Sequence, residues 1–186
     1  MSILIYLIFG FLTSLLFPPY FFLPLGFIIF PSLCFLLDSN KENYRNKNIF
    51  KKFSIFGFGF FISYLFWIKN PFFVFEETKN FFLVFLLLII LLSIILGLIF
   101  TIIFKLGKNI PIIFLIPFMF TSSEYIISVF FYGFPWFTFS LLLSSNEYLL
   151  FSLKSFGTLF SSYLIWVKNP FFVFEETKNF FLFFYY

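Results

Sequence analysis

The 186-residue sequence contains no histidine, no alanine and one cysteine, and charged residues make up only 11% of it. Each absence excludes something. Without His and with a single thiol there can be no internal disulfide and no zinc site of the usual kind. A soluble globular domain carries about 25% charged residues, so this chain has too few to cover a water-facing surface. A cytosolic enzyme, a disordered tail and a disulfide-built secreted module are therefore set aside. What the chain does contain is hydrocarbon: 62% of it is hydrophobic, 29% is aromatic, and the mean hydropathy is +1.06. Its apolar runs approach the ~20 residues that a helix needs to cross a bilayer. The reading is an all-α, polytopic membrane helical bundle of about six transmembrane helices. The 41 phenylalanines, beside so much Ile, Lys and Asn, reflect an AT-rich genome more than a special use for the ring.

Twelve Lys and Arg against eight Asp and Glu give a net charge of +4. These charges cluster between apolar runs, so they report membrane orientation and not a nucleic-acid partner. No segment interleaves a basic stripe with exposed aromatics, and no nucleic acid is expected. Cys34 lies in PSLCFLL, an apolar setting that suits a small core residue and opposes a reactive thiolate.

Spans follow from length, at ~1.5 Å of rise per residue against a core of ~30 Å. Ile3 to Phe17 is short, has no basic n-region or cleavage site, and reads as a retained first span rather than a signal peptide. Pro18-Pro19 then breaks the helix, because two backbone donors are missing. Tyr20 to Leu37 makes the return leg. Further spans are expected over Phe53 to Ile68, Phe81 to Phe104, Ile110 to Phe130 and Tyr148 to Val167. Lys154, inside the last of these, is expected to snorkel outward, and Trp67 and Trp166 suit the interface. The loops Asp38–Lys52 and Lys105–Asn109 carry seven Lys/Arg, whereas the Pro-Pro tip, Lys69–Asn80 and Phe131–Glu147 carry two. The positive-inside rule places the first set and the N-terminus in the cytoplasm.

Residues 63–85 recur at 162–184, identical at 20 of 23 positions and unbroken over the 15 residues from Lys69 to Leu83. Structural repeats need only keep their packing pattern, and transporter repeats are usually weak. Here one segment would serve opposite sides of the membrane unchanged. A recent duplication, a recombination or a join that cuts off the true continuation explains this better than a functional tandem element. The expected organisation is a multi-span membrane domain over 1–167 and a tail, 168–186, that duplicates 69–85 and is not an independent domain.

Three stretches in order resemble the membrane part of bacterial apolipoprotein N-acyltransferase. LLFPPYFFLPLGF (Leu15 to Phe27) is similar to the family's first hairpin. FGFGFFISYLFWI (Phe56 to Ile68) looks like its Gly- and aromatic-rich third span. Pro117 to Leu164 resembles the segment with a Glu, here Glu124, followed by a GFPW loop, here Gly133, Phe134, Pro135 and Trp136. The GFPW loop at that distance is the most specific of these features.

The resemblance implies phospholipid-dependent N-acylation of the N-terminal S-diacylglyceryl cysteine during lipoprotein maturation. In the family, a periplasmic nitrilase-like domain performs this with a Glu-Lys-Cys triad through a thioester. The resemblance covers about residues 7 to 164, which is only the N-terminal third or so of a full member. The triad has no counterpart here, and Cys34 cannot stand in for the nucleophile. The chain is therefore read as a membrane-domain fragment, inactive alone, in a bacterial inner membrane. It would have membrane lipids as partners, with phospholipid and lipoprotein joining if a catalytic domain follows. No catalytic residue, metal or cofactor is expected, and the oligomeric state is left open.

An ionisable group within a span is by default a functional hypothesis, so Glu124 is the residue singled out. A plainer reading sets it near the outer interface, hydrated or protonated. GFPW likewise reads either as an aromatic interfacial anchor or as a lipid-facing surface beside the nitrilase-like domain. Two rival functions stay open: a non-enzymatic integral membrane protein binding lipid or a partner, and a small transporter-like protein. Against the transporter stands the scarcity of charged groups within the spans, where midplane sites usually need several.

Overall fold

A computed structural model describes residues 3–38, 46–132, 137–145 and 157–165. Among them the regular structure is entirely helical. Five α-helices follow in order: α1 (Ile3–Ser14), α2 (Gly26–Asp38), α3 (Asn46–Tyr64), α4 (Phe82–Leu106) and α5 (Ile112–Phe130). Short 3-10 helices occupy Leu23–Leu25, Phe66–Phe73, Glu76–Phe81 and Phe139–Ser145, and residues 158–165 form two further helical turns.

The chain switches direction where the breakers predict. Pro18 and Pro19 stand between α1 and α2, and Gly107 caps α4 by donating its N–H to the Ile103 carbonyl at 2.8 Å. Pro31 and Pro117 nevertheless lie inside α2 and α5. Helices packed among apolar neighbours tolerate such interruptions.

Two boundaries depart from the expectation. The third helix begins at Asn46 and not near Phe53, taking in part of the basic loop. The reason is packing: Ile49, Phe53, Phe56 and Phe60 recur at helical spacing on one buried face, so the apolar stripe starts a turn before the apolar run. The stretch Lys69–Asn80 is not irregular but 3-10 helical over most of its length. Thr78 Oγ1 ties it together, donating to the carbonyls of Phe72 (3.0 Å) and Phe75 (2.9 Å).

Helix α3 is the centre of the bundle, with α1 on one side and α4 on the other. The FGFG motif explains how one helix serves two neighbours at close range. Residues two apart lie ~200° apart around a helix, so Gly57 and Gly59 face nearly opposite ways. A Cβ at Gly59 would strike the Leu7 carbonyl oxygen of α1, and one at Gly57 would lie 3.2 Å from Ser93 Cα of α4. The partners are small too. A Cβ on Gly10 of α1 would meet Phe56 O and lie 2.9 Å from Phe60 N, and one on Gly97 of α4 would meet Ser54 Oγ. Close backbone approach through small residues is how helices pack where lipid removes the hydrophobic drive.

Around this spine the aromatic rings interlock, some edge to face and some tilted. Phe53 of α3 contacts Tyr6 of α1 (ring centroids 5.8 Å apart) and Phe100 of α4 (4.3 Å), and Phe100 contacts Phe120 of α5 (4.8 Å). At the other end, Phe17 meets Phe60 (5.5 Å) and Tyr64 (4.9 Å). The pairs at the two ends make α1 parallel to α3 and α4 antiparallel to it. This is the alternation the span count requires.

The outward face of α4 is as apolar as its buried face. Leu83, Leu87, Leu91, Leu98 and Ile102 of α4 are exposed while Phe85, Ile89, Leu92, Leu96 and Phe100 are buried. A water-soluble helix would carry charge on that outer face. Glu76–Leu106 and Ile112–Phe130 are long and apolar enough to cross a bilayer, and α3 qualifies with the following 3-10 helix although the two are bent by 50°. Helices α1 (12 residues) and α2 (13 residues) are shorter apolar elements. The chain is thus a helical membrane bundle. Most of the expected sixth span, with Lys154, and the tail 168–186 lie outside the described residues.

Candidate functional site: a buried carboxyl at the junction of three segments

Glu124 sits in the second half of α5, on the same face as Phe120 and Ile127, and is 5% exposed. A buried carboxyl in apolar surroundings costs several kcal/mol unless its oxygens are hydrogen-bonded. Here both are engaged. The backbone N–H of Phe139 donates to Oε2 at 3.2 Å, and the Ser162 hydroxyl donates to Oε1 at 3.3 Å. Ser162 Oγ in turn accepts the N–H of Ser140 at 2.9 Å. All four residues are buried.

The arrangement has a simple physical logic. Phe139 and Ser140 open the 3-10 helix Phe139–Ser145, so their N–H groups have no partner inside that helix. Thr138 stands just before the helix, where a Ser, Thr, Asp or Asn side chain ordinarily caps such groups. Here the acceptors come from elsewhere in the fold: Glu124 from α5 and Ser162 from the turns 158–165. The carboxyl therefore caps a distant helix and joins three segments at one point. Negative potential is favourable at that end of a helix.

Rings seal the node. Phe139 packs against Phe17 (5.2 Å), Phe60 (6.4 Å, stacked), Phe120 (5.3 Å) and Phe137 (5.9 Å). The hydroxyls of Ser140 and Ser161, also buried, have no hydrogen-bond partner among the described residues. The node holds no cluster that would ligate a metal, and among the described residues no group of His, Cys, Asp and Glu is placed to do so.

Of the predicted residues, Glu124 is placed in this way. Gly133, Phe134, Pro135 and Trp136 lie outside the described residues, but the segments on either side of them are tied to Glu124. The loop leaves α5 through Phe131 and Tyr132 and returns into Phe137 and Thr138, which are buried. Sequence reasoning did not single out Ser162, Ser140 or the Phe139 N–H. A signal existed, since a Glu inside a span requires donors, but several serines between 140 and 162 qualified equally. Cys34, the chain's one thiol, is buried in α2 and lies apart from the node in the chain.

Against this geometry the comparison with known families is decisive. A sequence description of the apolipoprotein N-acyltransferase N-terminal domain matches residues 9–170. The chain belongs to that family. The match encloses α2 to α5, the second half of α1 and the whole Glu124 node, so the polar junction lies within the family's membrane domain. No curated protein and no solved structure matches the chain.

Proposed function

We propose that residues 1–186 are the membrane platform of an apolipoprotein N-acyltransferase in a bacterial inner membrane, with the N-terminus in the cytoplasm. The platform anchors and orients a periplasmic catalytic domain that moves an acyl chain from a phospholipid to the N-terminal cysteine of a lipoprotein. It does not carry out acyl transfer by itself. The observation that carries this reading is the family match over residues 9–170 of a helical bundle with a lipid-compatible surface. The absence of activity alone rests on chemistry: thioester formation needs an accessible thiolate beside a base, and the one thiol, Cys34, is buried in α2.

In this reading Glu124 is a positioning residue and the GFPW loop is the element it positions. It holds the described segments on either side of residues 133–136, through its place in α5 and its bond to Phe139. The GFPW residues would serve to contact lipid or the catalytic domain.

The test is complementation in cells depleted of their own N-acyltransferase. The chain alone is expected to leave lipoproteins diacylated, and the same chain fused to a nitrilase-like domain of the family to restore triacylation. Mass spectrometry of lipoprotein N-terminal peptides reads both outcomes. Rescue by the chain alone, or failure of every fusion that is stably inserted, would overturn the reading.

A further inference from the structure

Buried polar side chains are not spread evenly through the bundle. Of the nine among the described residues, Thr13, Ser14, Ser93 and Ser123 turn their hydroxyls back onto carbonyls of their own helices at 2.6–2.7 Å. The other five, Glu124, Thr138, Ser140, Ser161 and Ser162, gather where α5, the 3-10 helix Phe139–Ser145 and the turns 158–165 meet. Within that group the hydroxyls of Ser140 and Ser161, in residues only 1% and 2% exposed, have no partner among the described residues. Their places are tied together, because the N–H of Ser140 donates to the hydroxyl of Ser162, the neighbour of Ser161. Ser54 and Thr121 also hold buried, unpartnered hydroxyls, but each lies well inside an α-helix, where rotation about one bond reaches the carbonyl a turn back. Ser140, the second residue of its 3-10 helix, has no turn behind it.

A hydroxyl buried without a partner is costly, and one shared partner can serve two that stand at the same junction. The chemistry of the site selects that partner. It must both donate and accept, since a hydroxyl offers one proton and two lone pairs. An anion is opposed by the Glu124 carboxyl, and a cation finds the carboxyl oxygens already taken by the Phe139 N–H and the Ser162 O–H. Water meets every condition and is the usual occupant where buried polar groups lack partners. The side chains here are also small. In the repeat, position 161 aligns with Ile62, so the second copy holds a hydroxyl where the first holds a branched hydrocarbon. We propose that Ser140 and Ser161 form an internal hydration site beside Glu124, at which they share a bound water. Its consequence is that the Glu124 junction stays in exchange with solvent protons although every residue in it is buried. The site takes nothing from the proposed function.

The experiment is water-edited solid-state NMR of the full chain, isotopically labelled at serine and reconstituted in lipid bilayers, with resonances assigned by single Ser→Ala variants. Magnetisation from water should reach Cβ of Ser140 and of Ser161 several-fold faster than Cβ of Ser123. Ser123 is the control because it adjoins Glu124 and is equally buried, yet its hydroxyl bonds the Phe120 carbonyl. Ser161→Ile, which puts the first copy's residue into the second, should expel the water and slow transfer at Ser140 to the Ser123 rate. Transfer to either Ser140 or Ser161 no faster than to Ser123 in the native chain would overturn the proposal, and would mean that the two hydroxyls bond each other in a dry junction. Unchanged transfer at Ser140 in a folded Ser161→Ile chain would overturn it as well, since the water would then not be shared. Should Ser161→Ile fail to insert, the comparison within the native chain still decides.

Discussion

The carboxyl of Glu124 accepts the backbone N–H of Phe139, 15 residues further along the chain, at 3.2 Å. The bond closes a loop that contains Gly133–Trp136, and Ser162 secures it from a third segment. A charged residue that looks misplaced in an apolar run thus becomes the acceptor for the first N–H of a distant helix.

Removing that cap should loosen the junction. Glu124→Ala removes the acceptor that the buried N–H of Phe139 uses in the native chain, a loss of about 1–3 kcal/mol. Glu124→Gln keeps one carbonyl acceptor and should cost less. Thermal unfolding in detergent should rank the native chain first, then Glu124→Gln, then Glu124→Ala. Limited proteolysis should cut Glu124→Ala faster between residues 130 and 145. Equal stability of Glu124→Ala and the native chain would remove Glu124 from its positioning role.

The central glycines should show a reversed sign. In an exposed helix interior, Gly→Ala stabilises by ~1 kcal/mol. Gly59→Ala and Gly10→Ala should instead destabilise by about 1–3 kcal/mol, because the new methyl meets backbone of the neighbouring helix, which cannot swing aside. Gly26→Ala, where the nearest atom is a Phe30 ring carbon at 3.4 Å, serves as the near-neutral comparison. Unfolding midpoints of the three variants in one detergent decide the matter.

Orientation can be read by labelling. In a Cys34→Ser background, Arg45→Cys should react with a membrane-impermeant maleimide only after the cytoplasmic face is opened, and Pro135→Cys should react in intact spheroplasts. The opposite pattern would invert the assignment drawn from the seven basic residues on one side and two on the other.

Much of the bundle was legible in the chain. The span positions of α4 and α5, the Pro-Pro break and the alternation of direction follow from run length and from residues that cannot continue a helix. The start of α3 was not legible, because burial of Ile49 extends its face into a polar stretch that composition assigns to a loop. The role of FGFG was half legible: two glycines flanked by rings mark close packing, but which neighbour each one meets depends on the assembled bundle. The partners of Glu124 were not legible at all. Several serines satisfy the same chemical need, and local sequence cannot rank acceptor–donor distances between segments up to 38 residues apart.

By itself, then, the sequence determined the solvent. With 62% apolar residues and only 11% charge, only a bilayer suits its surface. Tertiary structure alone decided how the few polar groups are used. Burial makes an unpaired carboxyl or N–H costly, so α5, Phe139–Ser145 and the turns 158–165 converge where each can satisfy the others.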